Sequence, residues 1–120
     1  MKLFYIGILI LGLSLSGCDA SNGDTVLLRV QNATSVHFTE VHIQFLGSPE
    51  TYRTVQAGAF SDYRPFDTAY RYGLVEVTTV DTTYRLQPID YVGETPLGAG
   101  RYTFRLSLSN EQMGLELIRE

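Results

Sequence analysis

The sequence predicts an all-β protein, a single antiparallel β-sandwich of about seven or eight strands that follows an N-terminal signal segment. Apolar and polar residues alternate with period two along most of the chain after residue 24. Turn-forming residues interrupt this alternation about every 8 to 12 residues, a spacing typical of sandwiches. No apolar pattern with a helical period extends over a useful length beyond the leader, so we expect no helix there.

Seven segments carry the alternation and are the predicted strands: 25–33, 36–45, 51–58, 69–80, 82–88, 101–109 and 112–120. Gly73 marks a bulge or bend within the longest of them, because a glycine weakens a regular strand. Asp81 and Thr82 separate two of the segments, and we expect them to turn a hairpin.

Two of these strands also predict which side chains face the core. The segment 101–109 points four side chains inward: Tyr102, Phe104, Leu106 and Leu108. The segment 36–45 places five side chains on one face: His37, Thr39, Val41, Ile43 and Phe45. If this second strand lay at an exposed edge of a sheet, it would offer backbone groups to a strand of another chain.

Residues 1–17 have the pattern of a secretory signal peptide. Lys2 supplies one positive charge, the run from Leu3 to Leu15 is apolar, and small residues follow. The run of about 13 residues is too short to cross about 30 Å of hydrocarbon as a helix. We expect this segment to be removed, which leaves a tether at 18–24 and one domain at 25–120.

Residues 15–18, Leu-Ser-Gly-Cys, resemble the lipobox of bacterial lipoprotein precursors. The resemblance implies cleavage before Cys18, which is the chain's only cysteine, and acylation of Cys18 with fatty acids such as palmitate. Two or more acyl chains hold a protein stably on a membrane. We therefore expect a lipid-anchored protein of the cell envelope, at the outer membrane rather than the inner one. Asp19 resembles the inner-membrane retention signal of enteric bacteria, and the sequence leaves the membrane face open.

Charge and motif content exclude several classes of function. The chain has a net charge of −4, whereas binding to nucleic acid requires a basic surface. No Gly-x-Ser-x-Gly, His-Glu-x-x-His or glycine-rich phosphate loop occurs. His37 and His42 are separated by an odd spacing, so one strand would place them on opposite faces. We expect no enzymatic activity, no cofactor and no metal.

The irregular segment 60–72 interleaves aromatic residues with arginines, a composition common on contact surfaces. Its candidate binding residues are Tyr63, Arg64 and Phe66, because Pro65 interrupts the strand pattern there. The alternative is that the alternating aromatic residues of this segment belong to the core.

The loop 87–100 is a second candidate binding segment, because loops on a rigid sandwich often carry binding residues. Its candidates are Asp90, Tyr91 and Glu94. Carboxylates also suit calcium, but calcium takes six or more oxygen ligands at a recognisable spacing. The alternative is that the apolar side chains of this loop close one end of the core.

Three Asp-Thr pairs resemble the O-glycosylation acceptors of secreted Bacteroidota proteins, with Thr25, Thr68 and Thr82 as the implied acceptors. The alternative is that Asp-Thr suits strand starts and turns.

Residues 96–106, PLGAGRYTFRL, resemble the turn and strand of immunoglobulin-like and transthyretin-like extracellular domains. Together with the lipobox, this stretch makes the chain similar to small lipoproteins of Bacteroidota. The resemblance supports the sandwich and says nothing about a ligand. The tether at 18–24 is short, so the domain must lie close to its membrane. We therefore expect a non-catalytic protein-interaction or assembly module with a partner protein in the envelope. The alternative is a lipoprotein that binds carbohydrate or peptide through surface loops.

Overall fold

The computed structural model describes residues 25–47, 49–87 and 95–120. Eight strands run through these residues and form two four-stranded sheets that pack face to face, so the predicted all-β sandwich is confirmed. The strands are β1 (Val26–Asn32), β2 (Glu40–Gln44), β3 (Glu50–Tyr52), β4 (Arg64–Phe66), β5 (Leu74–Thr78), β6 (Thr83–Leu86), β7 (Gly100–Ser109) and β8 (Gln112–Arg119).

Sheet 1 has the strand order β4-β1-β7-β8, and sheet 2 has the order β3-β2-β5-β6. Five of the six strand pairs are antiparallel, as predicted. The sixth pair, β1 with β7, is parallel, with Leu28 opposite Tyr102. Alternation in a sequence predicts which face a side chain takes but not the direction of the neighbouring strand, so the sequence gives no sign of this pair.

The core lies between the sheets and is filled by alternate side chains of the long strands. Tyr102, Phe104 and Leu106 of β7 are buried as predicted, and Leu108 is partly buried. The ring of Phe45 lies at the centre of an aromatic cluster. Its ring centroid lies 5.2 Å from that of Phe66, 5.9 Å from that of Phe104 and 6.3 Å from that of Tyr70, all edge to face. Edge-to-face ring pairs stabilise a core beyond the burial of their apolar area.

The prediction for 36–45 is wrong in two respects. Phe38 is fully buried and bridges to Val55, and the regular strand begins only at Glu40. The alternation therefore changes phase, so His37 and Thr39 are exposed although they were expected to share a face with Val41. β2 lies between β3 and β5, so the condition set for its pairing with a strand of another chain, an exposed edge, is not met.

Two other predicted strands are shorter in the structure, because turns take part of their length. The segment 69–80 reduces to β5, which starts directly after the bend that ends at Gly73. A Cβ atom added at Gly73 would lie 2.7 Å from the Phe45 ring, so the close approach of this ring requires glycine. The segment 51–58 reduces to β3.

The hairpin expected at Asp81 and Thr82 is confirmed. β5 and β6 pair antiparallel, and the backbone NH of Thr79 donates to the carbonyl of Thr82 across the turn, at 2.8 Å. β4 was not predicted as a strand because it contains Pro65; it lies at an edge of sheet 1, where proline is tolerated.

The predicted signal segment, Cys18, the predicted tether and residues 88–94 lie outside the described residues. In the part of the chain that the structure describes, no helix is long and apolar enough to cross a membrane.

Candidate functional site

Four side chains form a surface cluster on the outer face of sheet 1, which we name the arginine–aromatic patch: Arg29, Phe60, Tyr63 and Arg101. Arg29 points outward because its neighbours on β1, Leu28 and Val30, are fully buried. β1 and β7 pair in parallel, which puts the two arginines on adjacent strands of the same face.

The segment before β4 brings the two aromatic residues onto this face. The backbone NH of Ser61 donates to the carbonyl of Val30 at 2.8 Å, and the NH of Val30 donates to the hydroxyl of Ser61 at 2.8 Å. Phe60 also bridges to Gln31. These contacts fix the backbone, and the Phe60 side chain remains 49% exposed to solvent.

Arg29 is held from several sides. Its guanidinium carbon lies 4.1 Å from the centroid of the Phe60 ring and 4.9 Å from that of Tyr63. Its Nε donates to the hydroxyl of Thr103 at 3.0 Å, and its Nη2 lies 3.5 Å from the carboxylate of Glu120. The patch is therefore organised before any partner arrives, which lowers the conformational entropy lost on binding.

Thr103 and Glu120 hold the Arg29 side chain in place. Thr103 is fully buried, and its hydroxyl donates to the Glu120 carboxylate while accepting from Arg29. The hydrogen bond from Thr103, assisted by the charge of Arg29, lowers the pKa of Glu120 below its ordinary value, because both favour the carboxylate form. Glu120 therefore stays charged at neutral pH.

Arg101 gives the patch a surplus of positive charge. The other two arginines of this face are paired, Arg29 with Glu120 and Arg105 with Glu116 at 3.4 Å. Arg101 is exposed and lies 5.7 Å from the centroid of the Tyr63 ring. Among residues 25–47, 49–87 and 95–120, no carboxylate forms an ion pair with it.

The three candidates around Pro65 have separate positions. Tyr63 belongs to the patch, whereas Arg64 lies 3.8 Å from Glu50 and 5.6 Å from the centroid of the Tyr52 ring. Phe66 is only 5% exposed, so its expected surface position is wrong. The reason is the pairing of β4 with β1, which sets Phe66 opposite the buried Val26 and turns its ring into the core.

Of the remaining candidate residues, the structure describes the glycosylation sites but not the loop residues or Cys18. Asp90, Tyr91 and Glu94 lie outside the described residues, as does Cys18. The three candidate glycosylation sites are described: Thr68 and Thr82 are exposed, and Thr25 is half-buried. Their glycosylation stays a prediction.

Arg29, Phe60 and Arg101, which form most of the patch, are not identifiable as binding residues from the sequence alone. The alternation of the two strands indicates only that Arg29 and Arg101 each face outward. The information that joins them is the parallel pairing of β1 with β7, between segments that are more than 70 residues apart in the chain.

Metal ligands are not clustered: within the described parts of the chain, no group of three or more His, Cys, Asp or Glu residues could hold an ion. His37 Nδ1 accepts from the backbone NH of Ala57 at 3.1 Å, and His42 Nδ1 lies 3.1 Å from the hydroxyl of Thr51. The two histidines thus have different neighbours.

No protein-family model matches this chain, and a search of curated proteins found no match. The sandwich is similar to a protein from Eubacterium rectale whose structure was determined by NMR, with a TM-score of 0.56 and 13% sequence identity. The similarity covers 80% of this chain and 88% of that one. At this identity the likeness supports the fold alone.

Proposed function

We propose that this chain is a lipid-anchored, non-catalytic interaction module of the bacterial cell envelope that contacts a partner protein through the arginine–aromatic patch. The lipobox-like residues before Cys18 support the anchor. The observation that carries the binding surface is Phe60, which is half exposed and stacked on an arginine that is itself fixed.

The composition of the patch supports a protein partner. Aromatic residues and arginine are enriched at the energetically important positions of protein interfaces. Tyr63 and Phe60 supply rigid apolar area, and Arg101 supplies a charge that no described carboxylate neutralises. An acidic residue on the partner would pair with Arg101, and an apolar one would cover Phe60.

The test is cross-linking of the native, anchored protein in intact cells, followed by identification of the proteins that co-purify. We expect a partner at a fixed ratio that is lost in Phe60→Ala and Arg101→Ala. Matched controls come from elsewhere on the surface: Val80→Ala, which also removes an exposed apolar side chain, and Arg53→Ala. Capture that is unchanged in both patch variants would contradict the proposed surface.

The lipid anchor has its own control. The Cys18→Ser chain is expected to leave the membrane fraction and to capture less partner, because the partner lies at the same membrane in this proposal. A Cys18→Ser chain that remains membrane-bound would contradict the anchor.

A carbohydrate ligand is the second candidate, and the exposed face of Phe60 beside Tyr63 favours it. Flat aromatic rings accept the apolar face of a sugar. Binding of the chain to a panel of glycans, lost in Phe60→Ala while the folded β-sheet signal in circular dichroism is retained, would favour this candidate over the protein partner.

A further inference from the structure

β8 is the longest edge strand in the described part of the chain. It pairs with β7 on one side and has no strand on the other. The other three edges belong to β3, β4 and β6, which have three, three and four residues, whereas β8 has eight. Proteins commonly shield a long edge with proline, lysine or a bulge, because its unpaired backbone groups pair with other strands.

β8 carries two charged side chains, Glu116 and Arg119, but has no proline, lysine or bulge. Its sequence is QMGLELIR, and it pairs with β7 residue by residue. A groove of about 550 Å³ opens beside it, between β8 and β6. Three half-buried leucines line this groove: Leu86, Leu115 and Leu117.

The geometry points to a second copy of this chain as the occupant of the edge. We infer that two β8 strands pair antiparallel about a two-fold axis that passes through Leu115 perpendicular to sheet 1. Such an axis keeps the inner faces of both copies on the same side, so the two leucine grooves face each other and are covered together.

The register follows from the residues that then stand opposite each other. An axis at Leu115 sets Leu115 opposite itself and Met113 opposite Leu117, so apolar side chains meet on the inner face. It also places Arg119 of one copy, which donates to the hydroxyl of its own Tyr102, near Glu111 of the other, in the turn before β8. Opposite charges then lie near each other at both ends of the contact. An axis one residue along would set Glu116 opposite Glu116, and like charges directly opposite destabilise a sheet.

The paired copies would have one continuous eight-stranded sheet, with β4 at both ends. Each remaining edge of that sheet has three residues and contains Pro65, which protects it. The two arginine–aromatic patches would lie on the same face, with their β1 strands about 24 Å apart, five inter-strand spacings of ~4.8 Å. A partner with repeated epitopes would then bind through two patches at once. The inference itself does not depend on the function proposed for the patch.

Disulfide cross-linking in intact cells tests the register, using the full chain with its anchor. Leu115→Cys is expected to give a covalent dimer as the main product after mild oxidation, because Cα atoms directly opposite lie about 4.5–5.5 Å apart. Ile118→Cys alone should give none, since its two copies would be about 20 Å apart. Co-expression of Gln112→Cys with Ile118→Cys should restore the link, because these positions stand opposite each other.

A charge exchange tests the same contact without a cysteine. Glu111→Arg alone and Arg119→Glu alone are each expected to weaken dimer formation about three-fold to ten-fold, as exposed charge pairs do. The double variant should restore it. Sedimentation velocity of the detergent-solubilised chain measures the effect, and circular dichroism checks that each variant retains its β structure.

Three results would overturn the inference. One is a monomer in sedimentation together with no link in Leu115→Cys. The second is an equal yield from Val80→Cys, which would indicate random collision at the membrane. The third is a dimer whose stability is unchanged by the single charge variants and whose link forms at another position.

Discussion

The sandwich has two lateral sides, where an edge strand of one sheet faces an edge strand of the other. We call the β3/β4 side the closed side, because polar contacts join its two sheets. Where β3 faces β4, the ring hydroxyl of Tyr52 donates to the carbonyl of Leu28 across the sheets at 2.6 Å, and Arg64 pairs with Glu50. Where β6 faces β8, no hydrogen bond or ion pair found among the described residues joins these two strands. The groove there is lined by Leu86, Leu115 and Leu117 together with polar side chains such as Gln87 and Glu116.

This difference separates a side where polar contacts join the two sheets from a side where a groove opens between them. The first side has a hydrogen bond and an ion pair between its strands and aromatic rings buried around Phe45, although a cavity of about 470 Å³ opens there beside Glu50 and Phe66. The second has half-buried leucines and an unpaired strand edge, the usual elements of a contact between chains. The leucine groove and the long edge strand β8 therefore lie on the side opposite the hydrogen bond of Tyr52 to Leu28.

The largest expected difference between the two sides is in the cost of removing one large side chain. Phe45→Ala should lower the free energy of unfolding by about 3–5 kcal/mol, because it leaves a cavity among Phe66, Phe104 and Tyr70. Leu86→Ala, on the β6/β8 side, should cost about 1 kcal/mol, since this side chain is only half-buried. Urea denaturation followed by tyrosine fluorescence measures both, because the chain has no tryptophan. Equal costs would contradict the comparison.

The same contrast shows how far the sequence predicts the fold. The alternation in β7 is long and local, and it predicts the buried Tyr102, Phe104 and Leu106. Phe38 was assigned to the wrong face, because its burial comes from a bridge to Val55, a contact between separate segments. Side-chain period is a local property, whereas strand partners are set by packing of the whole chain.

The patch is harder to predict than the core for the same reason. Tyr63 was selected from a local cluster of aromatic residues, but Phe66 in that cluster is core, because β4 pairs with β1. The contact of Arg29 with Thr103 requires the parallel pairing of two distant strands. Composition alone predicts the residue types of the patch and, among its four members, only Tyr63.

The second prediction concerns the hydrogen bond that crosses the sheets on the closed side. Tyr52→Phe should lower the free energy of unfolding by about 1–3 kcal/mol, because the substitution removes the donor to a buried carbonyl without changing the ring. Burial also raises the pKa of the Tyr52 hydroxyl above its ordinary value, so it remains a donor at neutral pH. Tyr84→Phe, on half-buried β6, is the control and should cost less than Tyr52→Phe. Equal costs in urea denaturation would mean that the hydrogen bond from Tyr52 to Leu28 does not stabilise the fold.

The third prediction concerns pH and the end of β8. The folded-state pKa of Glu120 is lowered, so its contribution to stability is present above the unfolded pKa of about 4.5 and is lost as pH falls through the folded value. Hydrogen exchange should therefore show the amide of Glu120, which donates to the carbonyl of Arg101 at 2.9 Å, losing protection in acid before the amides of β4. Glu120→Gln should remove this pH dependence at β8. Parallel loss at β8 and β4 in the native chain would mean that acid acts on the whole fold.

The fourth prediction is that replacing Arg64, which forms an ion pair with Glu50 on the closed side, changes the free energy of unfolding least. Arg64 lies 3.8 Å from Glu50, and both side chains are about one-third exposed, a setting in which ion pairs contribute little. The Nε of Arg64 is buried, and no hydrogen-bond partner for it is found in the described residues, which adds a desolvation cost. Arg64→Met keeps the apolar stem over Tyr52 and should change the free energy of unfolding by less than about 1 kcal/mol in either direction. A loss as large as that of Phe45→Ala would mean that the ion pair, rather than aromatic packing, closes this side of the sandwich.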